Sequence, residues 1–467
     1  MRKCLPYLMS FMLMAADIAA VFAAILIALS MRQLFDGYIV ANLYWRLTPS
    51  LILFPVVFAT LRLYPGVLLS PPEELKKLSL GVSLVYLALG AVTFFSRDAA
   101  LYSRGAFILS WLASLMLAPL ARTLVRDMFA RKPWWGYPVV VFGTDDTARV
   151  LLRTLQLRPR LGLRPVAVYS CHNEALAEDF VEGVPVVNNP GDIASLGRTA
   201  NSFAAVSGAC LMTEERHAML DTLARTFKHV IILPQAMGRT SLWATALDVG
   251  GLLGLLVRHN LLDGRRLAMK RFMDLTLTIL GGLVALPLCL VIALIIRLES
   301  RGPALFKQRR IGLNGKPFHV WKFRTMVPHA EQLLAEHLAR NPDLQQEWNS
   351  CQKLRRDPRV TRIGRFLRCT SLDELPQLVN VLRGDLSLVG PRPIVEAEID
   401  RYSDCYHHYT RVKPGITGLW QISGRNLVSY DKRIDLDTYY INNWSIWFDI
   451  YILARTIPVV ITRQGAC

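Results

Sequence analysis

Five long apolar runs divide the chain. Four follow one another near the N-terminus, at 7–31, 43–61, 78–95 and 106–124, and the fifth covers 272–296. Each approaches the roughly 20 residues that a helix needs to span hydrocarbon. The pattern therefore predicts four transmembrane helices followed by a later membrane segment. The first run is too long for the core of a signal peptide and ends in no small-x-small site, so it is expected to remain as a membrane helix. Asp17, inside it, is expected to be paired within the bundle, because no series of intramembrane acids or lysines marks an ion path.

After Pro138 the period shortens. Val139, Val140, Val141 and Phe142 form a β-branched and aromatic run closed by Gly143, with a helix predicted over 147–157. Further strands are expected at 165–169, 204–206 and 230–233. Strand alternating with helix predicts a small parallel α/β domain over about 136–258. Its glycine fingerprint is degenerate. The residues after Gly143 read Thr-Asp-Asp-Thr-Ala, without the later glycines that let backbone approach a pyrophosphate, and Asp145 and Asp146 would repel one. A Rossmann-like domain with an assembly or regulatory role is expected there.

Charge refines this picture. The chain holds 54 Lys and Arg against 36 Asp and Glu, a net charge of +18, yet 52% of its 467 residues are hydrophobic. That combination suits a membrane protein facing anionic lipid and not a nucleic-acid binder, which has no need of long apolar runs. Arg2 and Lys3, Lys76 and Lys77, and the set Arg122, Arg126, Arg131 and Lys132 place the N-terminus and everything after the fourth span in the cytoplasm. The fifth run has Lys270 and Arg271 at its entrance and Arg297, Arg301, Lys307, Arg309 and Arg310 at its exit. Both flanks ask for the same side, and Pro287 near the middle removes a helical hydrogen bond. A re-entrant helix over 271–297, broken at Pro287, satisfies both; an ordinary span with a tolerated proline is the alternative. Eight scattered cysteines with no C-x-x-C pair indicate neither a disulfide framework nor a zinc site. The aromatic-rich stretch 434–461 reads either as an interfacial helix or as the last core helix.

Candidate chemistry concentrates at 370–393. Asp373 and Glu374 adjoin within an apolar run, with Arg365 and Arg368 before them and Arg383 and Arg392 after. Adjacent acids among arginines suit a phosphate-handling site, in which one carboxylate can attack phosphorus and the other hold a divalent cation. The plain alternative is a helix N-terminus capped by Ser371.

From Lys270 onward the chain resembles the bacterial sugar transferases, the polyprenyl-phosphate hexose-1-phosphate transferases also called monotopic phosphoglycosyl transferases. The matching blocks are KRFMD (270–274), RGPALFKQRRIG (301–312), KFRTM (322–326), RFLRCTSLDELPQLVNVLRGDLSLVGPRP (365–393) and PGITGLWQISGR (414–425). The likeness implies a membrane α-helical bundle plus α/β fold with three parts: a four-helix transmembrane domain (1–132), a Rossmann-like non-catalytic domain (133–265) and an α-rich monotopic catalytic domain (266–467). It implies that Asp373 attacks a UDP-hexose, releases UMP and passes hexose 1-phosphate to undecaprenyl phosphate. Whole-chain likeness favours galactose, with glucose as the alternative; a polysaccharide-assembly scaffold without catalysis is the rival from another class. Glu374, with Asp373, would ligate Mg²⁺, and Arg368, Arg383, Arg392 and Arg425 would bind phosphate or nucleotide. Lys270, Arg271 and Asp274 would lie at the polyprenyl-phosphate headgroup. Further implications are a multi-pass protein of the bacterial inner membrane, a homodimer, and a helix broken at proline. Small members of the family often carry serine before that proline, where this chain has Leu286.

Overall fold

The computed structural model describes residues 6–35, 44–45, 48–95, 102–170, 179–187, 202–210, 223, 226–227, 229–233, 244–249, 252–257, 261, 263–328, 330–340, 357–425 and 428–462. The chain forms two compact units, Met1–Gly238 and Arg239–Cys467.

In the first unit, Tyr7–Leu34, Pro71–Phe95 and Arg104–Phe129 are helices long and apolar enough to cross a membrane. The predicted span at 43–61 is different. Its described residues include a five-residue 3-10 turn, Thr48–Ile52, and an eight-residue α-helix, Leu53–Thr60. These fall short of the roughly 20 residues of a span, so among the described residues three of the four predicted N-terminal spans are helices of spanning length and the second run gives a shorter apolar helix. Pro49 and Pro55 supply the reason, since each lacks an N–H and restricts the residue before it. Asp17 is paired as expected. It accepts Arg122 Nε (2.8 Å), Arg122 Nη2 (2.7 Å) and the Tyr64 hydroxyl (2.5 Å), and Arg122 Nη1 continues to Glu74 (2.9 Å). Arg126 closes the cluster on Glu74 at 2.7 Å.

The same unit holds a six-stranded sheet in the order β3-β4-β2-β1-β5-β6. Its strands are β1 (Tyr137–Phe142), β2 (Leu163–Tyr169), β3 (Phe180–Val181), β4 (Val184–Val187), β5 (Phe203–Ser207) and β6 (His229–Leu233). All pairings are parallel except that of edge strand β3 with β4. Central β1 shows the two-residue period directly. Val139 and Val141 enter one core with Leu152 and with Met9 and Leu13 of the first helix, while Val140 and Phe142 enter another with Ala204 and Val206. At the carboxyl ends of β1 and β5, where a dinucleotide fold receives its pyrophosphate, Asp145 accepts the Ser207 hydroxyl at 2.7 Å. Gly143 there has φ +123°, and a Cβ would meet Asp145 and Ser207 at 2.9 Å.

The second unit begins with the antiparallel hairpin of β7 (Ala244–Val249) and β8 (Leu252–Val257). Asp263 then caps a 36-residue helix, Gly264–Glu299, which stays helical on both sides of Pro287. Its middle exposes Leu283, Val284, Leu286, Leu290 and Val291. Both of its ends are tied to this unit. Near the start, Lys270, Arg271 and Asp274 bond to residues of the 381–389 stretch. Near the end, Ile292 and Ile296 pack with Ala304, Phe323 and Leu367, and Glu299 accepts the backbone N–H of Arg362 (3.0 Å). A second hairpin pairs β9 (Leu305–Ile311) with β10 (Pro317–Phe323) through an Asn314 turn at φ +57°. β11 (Ser387–Val389) lies parallel to β12 (Gly415–Thr417). A Cβ on either Gly390 or Gly415 would strike the other strand's backbone, so glycine is what lets the two blocks cross. The stretch 434–461 belongs to two helices, Tyr430–Asn443 and Ile446–Ile461, and its Trp444 is 1% exposed. That tryptophan is a core residue and not an interfacial anchor. The Cys289 thiol is free, whereas Cys210 and Cys369 each belong to a disulfide of their own, which scatter along a sequence does not forbid.

Candidate active site

The helix Arg362–Thr370 starts on a Thr361 cap, whose hydroxyl accepts Gly364 N–H at 2.9 Å. It ends at Ser371, which takes the left-handed conformation (φ +56°), and the chain restarts as a 3-10 turn, Leu372–Gln377. Asp373 and Glu374 thus occupy the first turn of a new helical run, at its positive end. Ser371 stands at the N-cap position expected of it but makes no side-chain cap bond, and its hydroxyl instead accepts Arg425 Nη2 at 2.9 Å. The run continues as the helix Leu378–Arg383. Asn380 fastens it to β10, accepting Trp321 N–H at 3.1 Å and donating to the His319 carbonyl at 2.7 Å.

That fastening sets the opposite wall. Lys322 on β10 donates to Glu374 Oε1 at 2.7 Å, and Arg368 Nε donates to Thr325 Oγ1 at 2.9 Å. Burial, and then the neighbouring Glu374 charge, push Asp373 up to about 6, against the pull of Lys322 and Arg368. Burial lowers Arg368, with Asp373 and Asp357 opposing. The other arginines divide. Arg425 reaches the dyad's own turn through Ser371. Arg392 stacks over Trp420 (5.1 Å to the ring centroid); burial, then Arg433, lower its pKa, while the Glu374 charge acts to raise it. Arg383 lies over Trp321 at 5.4 Å, on the ring that Lys307 also approaches at 4.4 Å.

The three residues expected at the lipid headgroup have other work. Lys270 Nζ is committed to Asp449 (2.6 Å), the Val389 carbonyl (3.0 Å) and Tyr440 Oη (3.4 Å). Asp274 accepts the Ser387 hydroxyl at 2.7 Å, and Arg271 donates to the carbonyls of Val381 (2.5 Å) and Leu382 (2.9 Å). Lys270 and Asp274 are buried, and together the trio pins the long helix to the dyad's scaffold. Lys270 would have to break its buried ion pair to meet a headgroup, whereas Arg271 is only partly buried and is bonded to backbone carbonyls.

Sequence reasoning missed Lys322, Thr325, Trp420 and Arg433. A lysine in a strand carries no mark of the carboxylate it will face until the neighbouring element is known. Among the described residues no group of three or more His, Cys, Asp or Glu could hold a metal. Two adjacent carboxylates nevertheless fit Mg²⁺, which commonly takes one or two carboxylates and completes its shell with substrate phosphates and water. The whole arrangement is a carboxylate ionised near neutrality, with cations on both sides, suited to attack at phosphorus. The raised pKa means that Asp373 takes up a proton as the pH falls through about 6. The rate of any step needing its free carboxylate is therefore expected to rise with pH, half-maximal near 6. Lys322→Met removes a charge that favours ionisation and is expected to move that midpoint upward; an unmoved midpoint in a pH–rate profile would detach Lys322 from Asp373.

Residues 265–463 match the family described as bacterial sugar transferase, and residues 66–201 match one described as a CoA-binding domain. The chain is 35% identical over 369 residues to the undecaprenyl-phosphate galactose phosphotransferase of Salmonella typhimurium, covering 78% of this chain and 76% of that protein. It is 38% identical over 373 residues to the UDP-galactose-lipid carrier transferase of Erwinia amylovora, with the same coverage. The UDP-glucose:undecaprenyl-phosphate glucose-1-phosphate transferase of Escherichia coli is 32% identical over 362 residues, covering 74% of each chain.

Proposed function

The chain belongs to the bacterial sugar transferase family, and from that premise we propose that it moves hexose 1-phosphate from a UDP-hexose to undecaprenyl phosphate through a covalent intermediate on Asp373. A carboxylate oxygen of Asp373 attacks the sugar-bearing phosphorus, the bond to the bridging oxygen breaks, and UMP leaves. The acyl phosphate left behind is attacked at the same phosphorus by the phosphate oxygen of the lipid. Asp373 is regenerated as a carboxylate, and the product is a lipid diphosphate sugar. The observation carrying this reading is the Asp373 carboxyl itself, with a pKa near 6 and set between Glu374 and the cations Lys322 and Arg368. Ionised at neutral pH yet little stabilised by solvent, it is a stronger nucleophile than a free aspartate.

Arg368 and Arg425 hold transferred or leaving phosphate oxygens, and Arg392 on Trp420 places the nucleotide. Glu374, with Asp373, would hold Mg²⁺, which when bound supplies charge to offset that developing on UMP. The long helix enters the bilayer and returns, leaving the site on the cytoplasmic face. Support comes from the anchoring of both ends in one unit and from the exposed apolar middle, with Pro287 inside the helix as the place for the bend that a return requires. Galactose is the hexose favoured, since two of the three relatives above are named for it.

The direct test incubates the purified protein with undecaprenyl phosphate and a panel of UDP-sugars and measures UMP. Release that requires UDP-galactose and yields an undecaprenyl diphosphate sugar is expected. A product with one phosphate would point to direct glycosyl transfer, and no release with any sugar would point to a scaffold.

A further inference from the structure

Beside the dyad lies a cavity of about 210 Å³, bordered by Glu374 and lined mainly by carbon. We infer that it takes the first isoprene units of the polyprenyl phosphate acceptor, an inference that rests on the transfer reaction proposed above. Leu375 and Leu378 come from the dyad's own helical run, Ile416 and Ile422 from the β12 block, and Val459 and Val460 from the C-terminal helix. Polar groups gather at one end, where Glu374, Ser371 and Arg425 adjoin and Arg425 holds the Ser371 hydroxyl.

The other polar side chains on the wall each have a partner within the protein. Thr417 and Thr456 hydroxyls bond each other at 2.9 Å, Thr456 also donates to the Ile452 carbonyl, and Gln421 Nε2 donates to the Ile416 carbonyl at 3.0 Å. A hexose here would bury hydroxyls with few partners, which is costly. A branched hydrocarbon needs none and gains by leaving water. The volume is smaller than the roughly 300–1,000 Å³ of pockets that engulf a ligand, so it suits the head of a long chain whose remainder stays in lipid. On the same C-terminal helix Ile457 and Ile461, which flank the lining residues Val459 and Val460 in sequence, are exposed at 63% and 73%. A lipid lying in the cavity would present its phosphate at the charged end, beside the carboxylate that bears the phospho-sugar.

Filling the cavity tests this, because the two half-reactions separate acceptor from donor. In Val460→Trp, the burst of UMP from UDP-hexose without lipid is expected to be unchanged. The KM for undecaprenyl phosphate in full turnover is expected to rise by roughly tenfold or more, since the loss of a few buried methylenes is worth that much. An intact burst with an unchanged KM for the lipid would overturn the assignment. So would a lost burst with an unchanged KM for the lipid, which would put the hexose or nucleotide there. If the tryptophan variant loses both activities, Val460→Leu, a smaller insertion, is read by the same criteria. Absence of a burst in the unaltered protein would refute the transfer reaction itself and leave the cavity's lining a separate matter.

Discussion

Asp373→Asn is expected to abolish UMP release and lipid-linked sugar formation, by at least about a thousandfold, as removal of a covalent nucleophile does elsewhere. The amide has nearly the shape of the carboxylate but no charge to attack phosphorus. The fold is expected to survive. A carboxyl whose pKa is raised in the folded state adds stability while protonated and forfeits it as the pH rises through about 6. At pH 7 Asp373 is ionised and that contribution is gone, so a neutral amide relieves burial of a charge and the melting temperature is not expected to fall. Glu374 cannot substitute, being held by Lys322 at 2.7 Å. UMP assay beside thermal unfolding checks both halves; full turnover in the variant removes Asp373 as the nucleophile.

Lys270→Met is expected to cost stability and not lipid affinity. Lys270 and Asp449 form an ion pair at 2.6 Å with side chains 10% and 0% exposed. Tyr440 and Trp444 add hydrogen bonds to Asp449 at 2.7 and 3.0 Å. Burial drives the Asp449 pKa up, and Lys270 is the foremost charge opposing this. Without the lysine, the carboxylate must be buried unpaired or take a proton, a loss of about 3–5 kcal/mol when one partner of a buried pair is removed. In a unit of this size that amounts to a fall of roughly 10 °C in Tm. Replacing both, in Lys270→Met with Asp449→Leu, is expected to restore most of the loss, because a well-packed apolar pair avoids the desolvation. A Lys270→Met protein that melts normally but has a raised KM for undecaprenyl phosphate would return Lys270 to the headgroup.

These two residues also show what a sequence discloses. Asp373 stands out in the sequence through the ordered family blocks around it, since an adjacent acid pair alone reads equally as a plain helix N-terminus. The role of Lys270 does not, since its partner Asp449 stands 179 residues away and nothing local distinguishes a buried cation from one awaiting a phosphate. Periodicity carried the long elements. The valines of β1 announce a strand buried on both faces, and three of the four N-terminal apolar runs became long helices. It failed at 43–61, where hydropathy was sufficient but Pro49 and Pro55 cut the helix short. Short strands β3 and β4 escaped for a related reason: two and four residues are too few for a period to register. Aromatic content left Trp444 open, since an amphipathic ring suits both an interface and a core, and only the packing with Phe448 and Ile452 decides.

The account stands on a covalent bond between Asp373 and the phospho-sugar. Mixing the purified protein with a UDP-hexose labelled in the sugar, without lipid, and digesting it at low temperature locates that bond by mass spectrometry. The prediction is one UMP released per protein and the label on the peptide carrying Asp373, discharged when undecaprenyl phosphate is added. UMP that appears only when the lipid is present, with no labelled peptide at any time, would contradict it.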